Sequence, residues 1–421
     1  MVKSVEVKNF KSIADLKLEL GRVNVFIGEN GSGKSNILEA VAFGAAASAN
    51  KLDKEFLASR GMRVPEPKLM RSAFSKDDLD KDVEITFKVD STKEKQKSIE
   101  INYKLRNKND EFSIWIDGYT AFADLMNALI IGFIESESGS EDEANARKAV
   151  EESMEGFDFN KIVQLKSVLS TAKQLIPNFN FLDFFNKNID SVSEEARLST
   201  EVLAHPILNK FKIYAPENTF LRKFEDENAG DPLGIRGEGL FKLLNYFQNH
   251  DDKSNINTVN ETLSALDWFD SFEIPSGLYA GERRLNIVDR FLDPEVSISQ
   301  NSANEGFLFI LFYISLFVSP DTPPFFAIDN LDASFNPKLC KHITRVLTKT
   351  AKDFNKQALF TTHNPFILDG LDLTDDEQRL FVVYRSQKGH TITKRILPND
   401  RKMPLSEQWM SGLLGGLPEN F

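Results

Sequence analysis

Cysteine is almost missing from this chain: Cys340 is the single one in 421 residues. No disulfide framework and no cysteine-based zinc site can form within one chain, and a reducing cytoplasm is the expected compartment. Positive charge is also short. There are 51 Lys and Arg against 63 Asp and Glu, a formal charge of −12. That excludes nucleic-acid binding by bulk electrostatics, though not by a local basic patch. Much of the deficit is local: Glu135 to Asp158 holds nine acids against two bases, Arg147 and Lys148. Long apolar runs are absent. The longest, Gly306 to Val318 (GFLFILFYISLFV), has 13 residues, too few to span a bilayer and suited to a buried helix. The N-terminus, MVKSVEVKNF, has no apolar signal-peptide core. Trp (3) and Tyr (7) are scarce beside 35 Phe, which points to a Phe-packed core.

What is present begins at the N-terminus. SVEVKNF and ADLKLEL alternate apolar and polar residues, as half-buried strands do. VNVFIG reads as a buried strand, GENGSG as a loop and KSNILEAVAFGAAA as a helix. The stretch GENGSGKS (Gly28 to Ser35) fits G-x-x-x-x-G-K-[ST] in the strand–loop–helix context that a phosphate loop requires. Its glycines let backbone N–H groups turn inward around phosphates, at the positive end of a helix. Asn30, Gly31, Ser32, Gly33, Lys34, Ser35 and Asn36 are the nucleotide-binding candidates. Lys34 is expected to reach the β/γ-phosphates of ATP and Ser35 to ligate Mg²⁺.

Two further strands carry chemistry. FFAID ends at Asp329, a second Mg²⁺ ligand, on a strand expected beside the phosphate-loop strand. Where a water-activating glutamate would follow stands Asn330, whose amide can orient water but cannot take its proton. ALFTTH ends at Thr361 and Thr362 and delivers His363, which could hydrogen-bond a γ-phosphate.

The alternation of strands and helices predicts an α/β fold: a mixed sheet flanked by helices, with an antiparallel edge sheet from DVEITFKV, SIEINYKL and EFSIWIDGY. Residues 1–119 form the first lobe and 206–421 the second. Apolar residues at helical spacing over 120–205 read as a helical insertion. The C-terminal LSEQWMSGLLGGLPENF is apolar enough either to contact a partner or to lie on its own sheet. Arg283-Arg284, Arg401-Lys402 and Lys93, Lys95 and Lys97 could grip nucleic-acid phosphates or be ordinary solvated charge.

VKNFKSI (Val7 to Ile13), the phosphate loop, FFAIDNLDASFNP and TTHNPFIL together resemble the ABC-type ATPases of the RecF, Rad50 and SMC group. Within it the chain looks most like the AAA15/AAA21 ATPases of prokaryotic defence loci, including Septu- and PARIS-type ATPase subunits. The likeness covers both ends of the chain and says little about 120–205. It implies a homodimer or higher oligomer of heads sandwiching ATP, each nucleotide also meeting a signature serine of the partner head. Ser302, at the start of the apolar helix, would be that serine, with Asn304 where a glycine is usual. The usual Asp-Glu-Pro-Glu becomes Asp329-Asn330-Leu331-Asp332, and no glutamine of the first lobe is placed to touch Mg²⁺ and water. Hydrolysis should be slow, or draw a base from Asp332, His363 or a partner.

The 58 residues after His363 are too few for the nuclease domain of fused relatives. A separate effector, a nuclease or toxin, is therefore expected, with the chain as ATP-gated sensor and scaffold. The alternative is a RecF-type repair ATPase that clamps DNA directly. No membrane partner is expected. A transporter ATPase is disfavoured by the insertion and the altered signature. A GTPase is disfavoured because NKNID (Asn186 to Asp190) misses the Asn-Lys-x-Asp spacing by one residue.

Overall fold

Alternating burial builds the first sheet. β1 (Val2–Phe10) and β2 (Ile13–Glu19) alternate over their middles: Val5 and Val7, and Leu16 and Leu18, are buried, while Glu6, Lys8, Lys17 and Glu19 are not. β3 (Val23–Ile27) differs: all five residues are buried, so it is a central strand covered on both faces. The computed structural model describes residues 1–91, 98–109, 113–117, 205–224, 231–279, 281–293, 295–399 and 402–416. The helical insertion expected over 120–205 lies outside the described residues except for His205.

After β3 come α1 (Lys34–Ser48), the short α2 (Lys54–Ser59) and α3 (Pro67–Met70), then β4 (Val83–Asp90), β5 (Ser98–Arg106) and β6 (Ile116–Asp117). β2-β1-β4-β5-β6 is a five-stranded antiparallel sheet. From His205 onward follow β7 (Ile213–Tyr214), α4 (Asn218–Lys223), α5 (Leu240–Asn249) and α6 (Ser254–Leu263). A small sheet of β8 (Phe269–Glu273), β9 (Asn286–Asp289) and β10 (Ser297–Ile298) comes next, in the order β10-β9-β8. The chain then forms α7 (Glu305–Val318), β11 (Phe325–Ile328), α8 (Pro337–Asp353), β12 (Gln357–Thr362), β13 (Gln378–Arg385), β14 (Thr391–Ile396) and α9 (Leu405–Met410).

The central sheet runs β14-β13-β3-β12-β11-β7, parallel throughout except for the edge strand β14. The expected neighbour of β3 was β11, the Asp329 strand. Instead β12 lies between them. The crossover through α8 returns the chain into the gap between β3 and β11, so the His363 strand is the direct neighbour.

Period two splits the core cleanly. Val23, Val25, Ile27, Phe326, Ile328, Ala358, Phe360, Leu380 and Val382 face the cluster built on α7. Phe26, Phe325, Ala327, Leu359, Phe381 and Val383 face the opposite cluster, which contains α1 and the antiparallel sheet. α7 is buried from Phe307 to Val318, which is why its sequence is apolar on every side. Each such Phe or Leu contributes roughly 1.5–3 kcal/mol of burial. Gln357 ties the sheets together: its side-chain amide accepts from Val2 N (2.8 Å) and donates to Val2 O (2.7 Å) and Gly21 O (2.8 Å). No helix among the described residues is long and apolar enough to cross a membrane.

Candidate functional site

The loop between β3 and α1 is held by close backbone approach. Gly33 has φ 107°, and a Cβ there would lie 2.0 Å from Thr391 Oγ1. A Cβ on Gly28 would lie 2.1 Å from Val383 O. The loop is thus pressed against the ends of β13 and β14. Thr391 Oγ1 donates to Ser32 O (3.0 Å) and lies 2.7 Å from Ser12 Oγ, which accepts from Asn36 Nδ2 at 2.6 Å. Among the described residues Ser32 Oγ is buried with no partner, the pattern of a group shaped for an anion.

Lys34 is buried, and its ammonium curls back to donate to Gly28 O and Glu29 O, both at 2.8 Å. Burial pushes it down to about 8, against the pull of Asp329, Asp332 and Glu29. His363 Nδ1 is 3.4 Å from Lys34 Nζ. Desolvation, and then the Lys34 charge, lower this imidazole below its ordinary range; Asp332 and Asp329 oppose the shift.

Ser35, in the first turn of α1, donates to Asp329 Oδ1 (3.2 Å) and Oδ2 (3.1 Å). The Thr361 hydroxyl also donates to Asp329 Oδ1. The next threonine repeats the device one step on. Thr362 Oγ1 donates to Asp332 Oδ1 at 2.6 Å, joined by His363 N at 3.3 Å. Between the two carboxylates Asn330 is exposed, at φ 57°, and donates its backbone N–H to Thr361 Oγ1 at 2.8 Å. Asn is among the few residues that tolerate this left-handed turn. Lys34, Ser35, Asp329, Asp332 and His363 therefore converge, and Asn330 borders them.

The structure adds residues that the sequence reading missed. Beside the loop lies a cleft of about 630 Å³, bordered by Lys11, Ser12, Asn36, Arg63, Phe74 and Arg385. Glu39, buried on α1, anchors it by accepting from Lys11 Nζ (2.6 Å) and Arg63 Nε (2.7 Å). Phe74 is 41% exposed, with its ring centroid 4.4 Å from that of His390. The available signal was Glu39 itself, a lone acid amid the apolar run of α1 from Ile37 to Ala47.

Ser302 is not brought to this cluster. It lies two residues ahead of the cap of α7, exposed, and no hydrogen bond joins it to the phosphate loop. The cap is Asn304, whose Oδ1 accepts from Phe307 N at 2.8 Å, so Ser302 precedes the helix end rather than standing on it. Arg222 of α4 braces this segment, donating to Asn301 O at 2.7 Å. Arg283, considered for phosphate contact, instead donates to Phe224 O. Lys93, Lys95, Lys97 and Arg401 lie outside the described residues. The tail folds back on its own head: Trp409 and Leu414 join the core, and Ser406 is bonded twice to Asp369. Leu417 to Phe421 lie outside the described residues.

A glycine loop on β3, with parallel β12 beside it leading to His363 and β11 next to that leading to Asp329, together with an antiparallel sheet, is the fold of an SMC-type ATPase head. The chain belongs to the AAA_21 family of AAA domains: the family model, whose description names the AbiEii toxin and a type IV TA system, matches residues 23–369. Over 75 residues it is 37% identical to the DNA replication and repair protein RecF of Lactococcus lactis subsp. cremoris (strain SK11), covering 17% of this chain and 21% of that protein. Over 67 residues it is 40% identical to the uncharacterized protein MJECL10 of Methanocaldococcus jannaschii, covering 14% and 31%. The chain thus spans less than a third of either relative. The fold is similar to that of an SMC head solved bound to the C-winged helix domain of ScpA, with TM-score 0.51 and 13% identity over 94% of this chain and 98% of that one.

Proposed function

We propose that this chain is an ATP-binding, slowly hydrolysing head that works as the sensor and scaffold of a defence complex. The observation that carries the nucleotide reading is the facing pair of Ser35 hydroxyl and Asp329 carboxylate beside a buried lysine. Hard oxygen donors of this kind suit Mg²⁺, and the partnerless Ser32 hydroxyl suits a phosphate oxygen. When bound, Mg²⁺ would neutralise charge on the β- and γ-phosphates.

The chain's own groups then have distinct tasks. Lys34 exchanges two backbone carbonyls for phosphate oxygens. His363, neutral and next to Lys34, is placed to sense the γ-phosphate. Asn330 orients water without accepting its proton, so turnover is slow. Asp332 already accepts two hydrogen bonds through Oδ1, from Thr362 Oγ1 and His363 N, which hold the carboxylate in place. The cleft bordered by Lys11, Arg63 and Phe74 receives the nucleoside.

Ser302 remains free of its own site, as a residue offered to a second head must be. ATP would join two heads into a dimer or higher oligomer and thereby hold or release a separate nuclease or toxin, in the manner of Septu- and PARIS-type ATPases, in the cytoplasm. The toxin–antitoxin wording of the family description supports this reading. A RecF-type ATPase clamping DNA is the second reading, favoured by the short stretch of RecF identity. Light scattering of the full chain with Mg²⁺-ATP tests the dimer: the mass should double, and Ser302→Arg should stay monomeric while still binding ATP. A mass indifferent to ATP would overturn the gating role.

A further inference from the structure

One wall of the cleft beside the phosphate loop is aromatic. The Phe74 ring centroid lies 4.4 Å from that of His390, with the two planes tilted by 55°. Gly389, at φ 82° in the turn between β13 and β14, permits this closeness: a Cβ there would lie 3.2 Å from Phe74 Cε1. Phe74 nevertheless remains 41% exposed. Arg385 stands at the same hairpin end, paired across the ladder with Thr391, the neighbour of His390. It lines the cleft and is exposed, and its guanidinium makes no hydrogen bond or ion pair among the described residues. Other polar groups of the cleft are committed. Lys11 Nζ donates to Glu39 and to Arg63 O, Arg63 Nε donates to Glu39, and Asn36 Nδ2 donates to Ser12 Oγ. No Asp, Glu or Gln lines the cleft among the described residues. Apart from Asn36 Oδ1, the side-chain groups left free there are donors.

We propose that the site takes purine nucleoside triphosphates without selecting adenine, so that GTP binds at least as tightly as ATP, and that Arg385 is the residue that meets the base edge. The proposal rests on the reading that the loop holds a triphosphate and this cleft its nucleoside. Phe74 offers a π-face, which adenine and guanine match equally and which reads no base identity. Only the edge tells the two apart. Adenine presents N7 as an acceptor and its N6 amine as a donor, whereas guanine presents two acceptors, N7 and O6. A guanidinium fork meets both guanine acceptors but only N7 of adenine. Selecting adenine takes an amide fork that accepts from N6 and donates to N7. Asn36 cannot supply one, because its Nδ2 is bound to Ser12 Oγ. Selecting guanine against adenine takes a carboxylate facing guanine N1–H and the N2 amine, and none lines the cleft among the described residues. A site without such groups rejects neither purine strongly.

The test is displacement of labelled ATP from the full chain, in the presence of Mg²⁺, by unlabelled ATP, GTP and CTP. GTP should compete within about threefold of ATP or better, and CTP, with its smaller stacking face, at least ~5-fold more weakly than either. Arg385→Gln supplies the fork that suits adenine N6 and N7 and should move the preference toward ATP by at least ~5-fold. Its melting temperature should not change, since Arg385 is exposed and its guanidinium unpaired. Phe74→Ala should weaken ATP and GTP alike, by at least ~5-fold. Four results would overturn the proposal: GTP competing more than about threefold worse than ATP, CTP competing as well as ATP, a preference unmoved by Arg385→Gln, or both affinities unmoved by Phe74→Ala. Failure of the wild type to bind labelled ATP at all would overturn the nucleotide reading itself, and the proposal with it.

Discussion

Ser35 and Asp329 stand 294 positions apart, yet the serine hydroxyl reaches both carboxylate oxygens, at 3.1 and 3.2 Å. Nothing but the closing of the central sheet joins them. Ser35→Ala should leave metal-free nucleotide affinity within a few-fold while removing most of the gain from Mg²⁺. ATP titrations with and without Mg²⁺, in wild type and variant, check this. An undiminished Mg²⁺ effect would show that the metal is held elsewhere.

Gly28 tests the loop's packing separately from its chemistry. Its added Cβ would meet the backbone oxygen of Val383 at 2.1 Å, and backbone cannot step aside. Gly28→Ala should therefore lower stability by roughly 1–3 kcal/mol, as overpacking does. Gly31→Ala meets nothing within 4 Å and carries only the left-handed backbone penalty, of about 1 kcal/mol. Thermal melts of the two variants should differ in that order.

The phosphate loop, Asp329 and His363 were legible in the sequence because each is a local pattern: glycines at fixed spacing, or an apolar strand ending in a polar residue. The same holds for α7, whose continuous apolar run is buried from Phe307 onward. What was not legible depends on which strands become neighbours. β12 between β3 and β11 could not be inferred from either strand alone, since all three are buried throughout and carry no facial pattern. The Thr391 contact with Ser32 needs β14 at the sheet edge. The small sheet β8 to β10 was missed because its strands are only two to five residues long.

Asn330 holds φ 57°, where a β-carbon other than that of Asn or Asp costs about 1–2 kcal/mol. Asn330→Glu should therefore melt slightly earlier than wild type, and Asn330→Gly should not. If only the proton acceptor is missing, Asn330→Glu should raise single-turnover hydrolysis by about 10²-fold, the low end for a positioned base. Asp332→Ala should change the slow wild-type rate only a few-fold, by loosening Thr362 and His363. Fast wild-type turnover that vanishes in Asp332→Ala would make Asp332 the base.

Lys34 gives a pH dependence with a definite sign. Its ammonium titrates at about 8 in the free protein and is held charged by phosphates when nucleotide is bound. Binding therefore takes up a proton above about pH 8, and affinity should fall as pH rises, approaching tenfold per unit. Near pH 7 the lysine is already charged, and affinity should be flat with respect to this group. Calorimetry in buffers of different ionisation enthalpy at about pH 8.5 would detect the proton, and Lys34→Ala should abolish its uptake.

The central claim is that ATP is held by the loop around Lys34. Equilibrium dialysis of labelled ATP against wild type and Lys34→Ala, with melting curves as the control for folding, tests it most directly. The account predicts a loss of at least ~100-fold in affinity with the fold retained, since the main side-chain charge facing the phosphates is gone. A folded Lys34→Ala protein that binds ATP as tightly as wild type would contradict it.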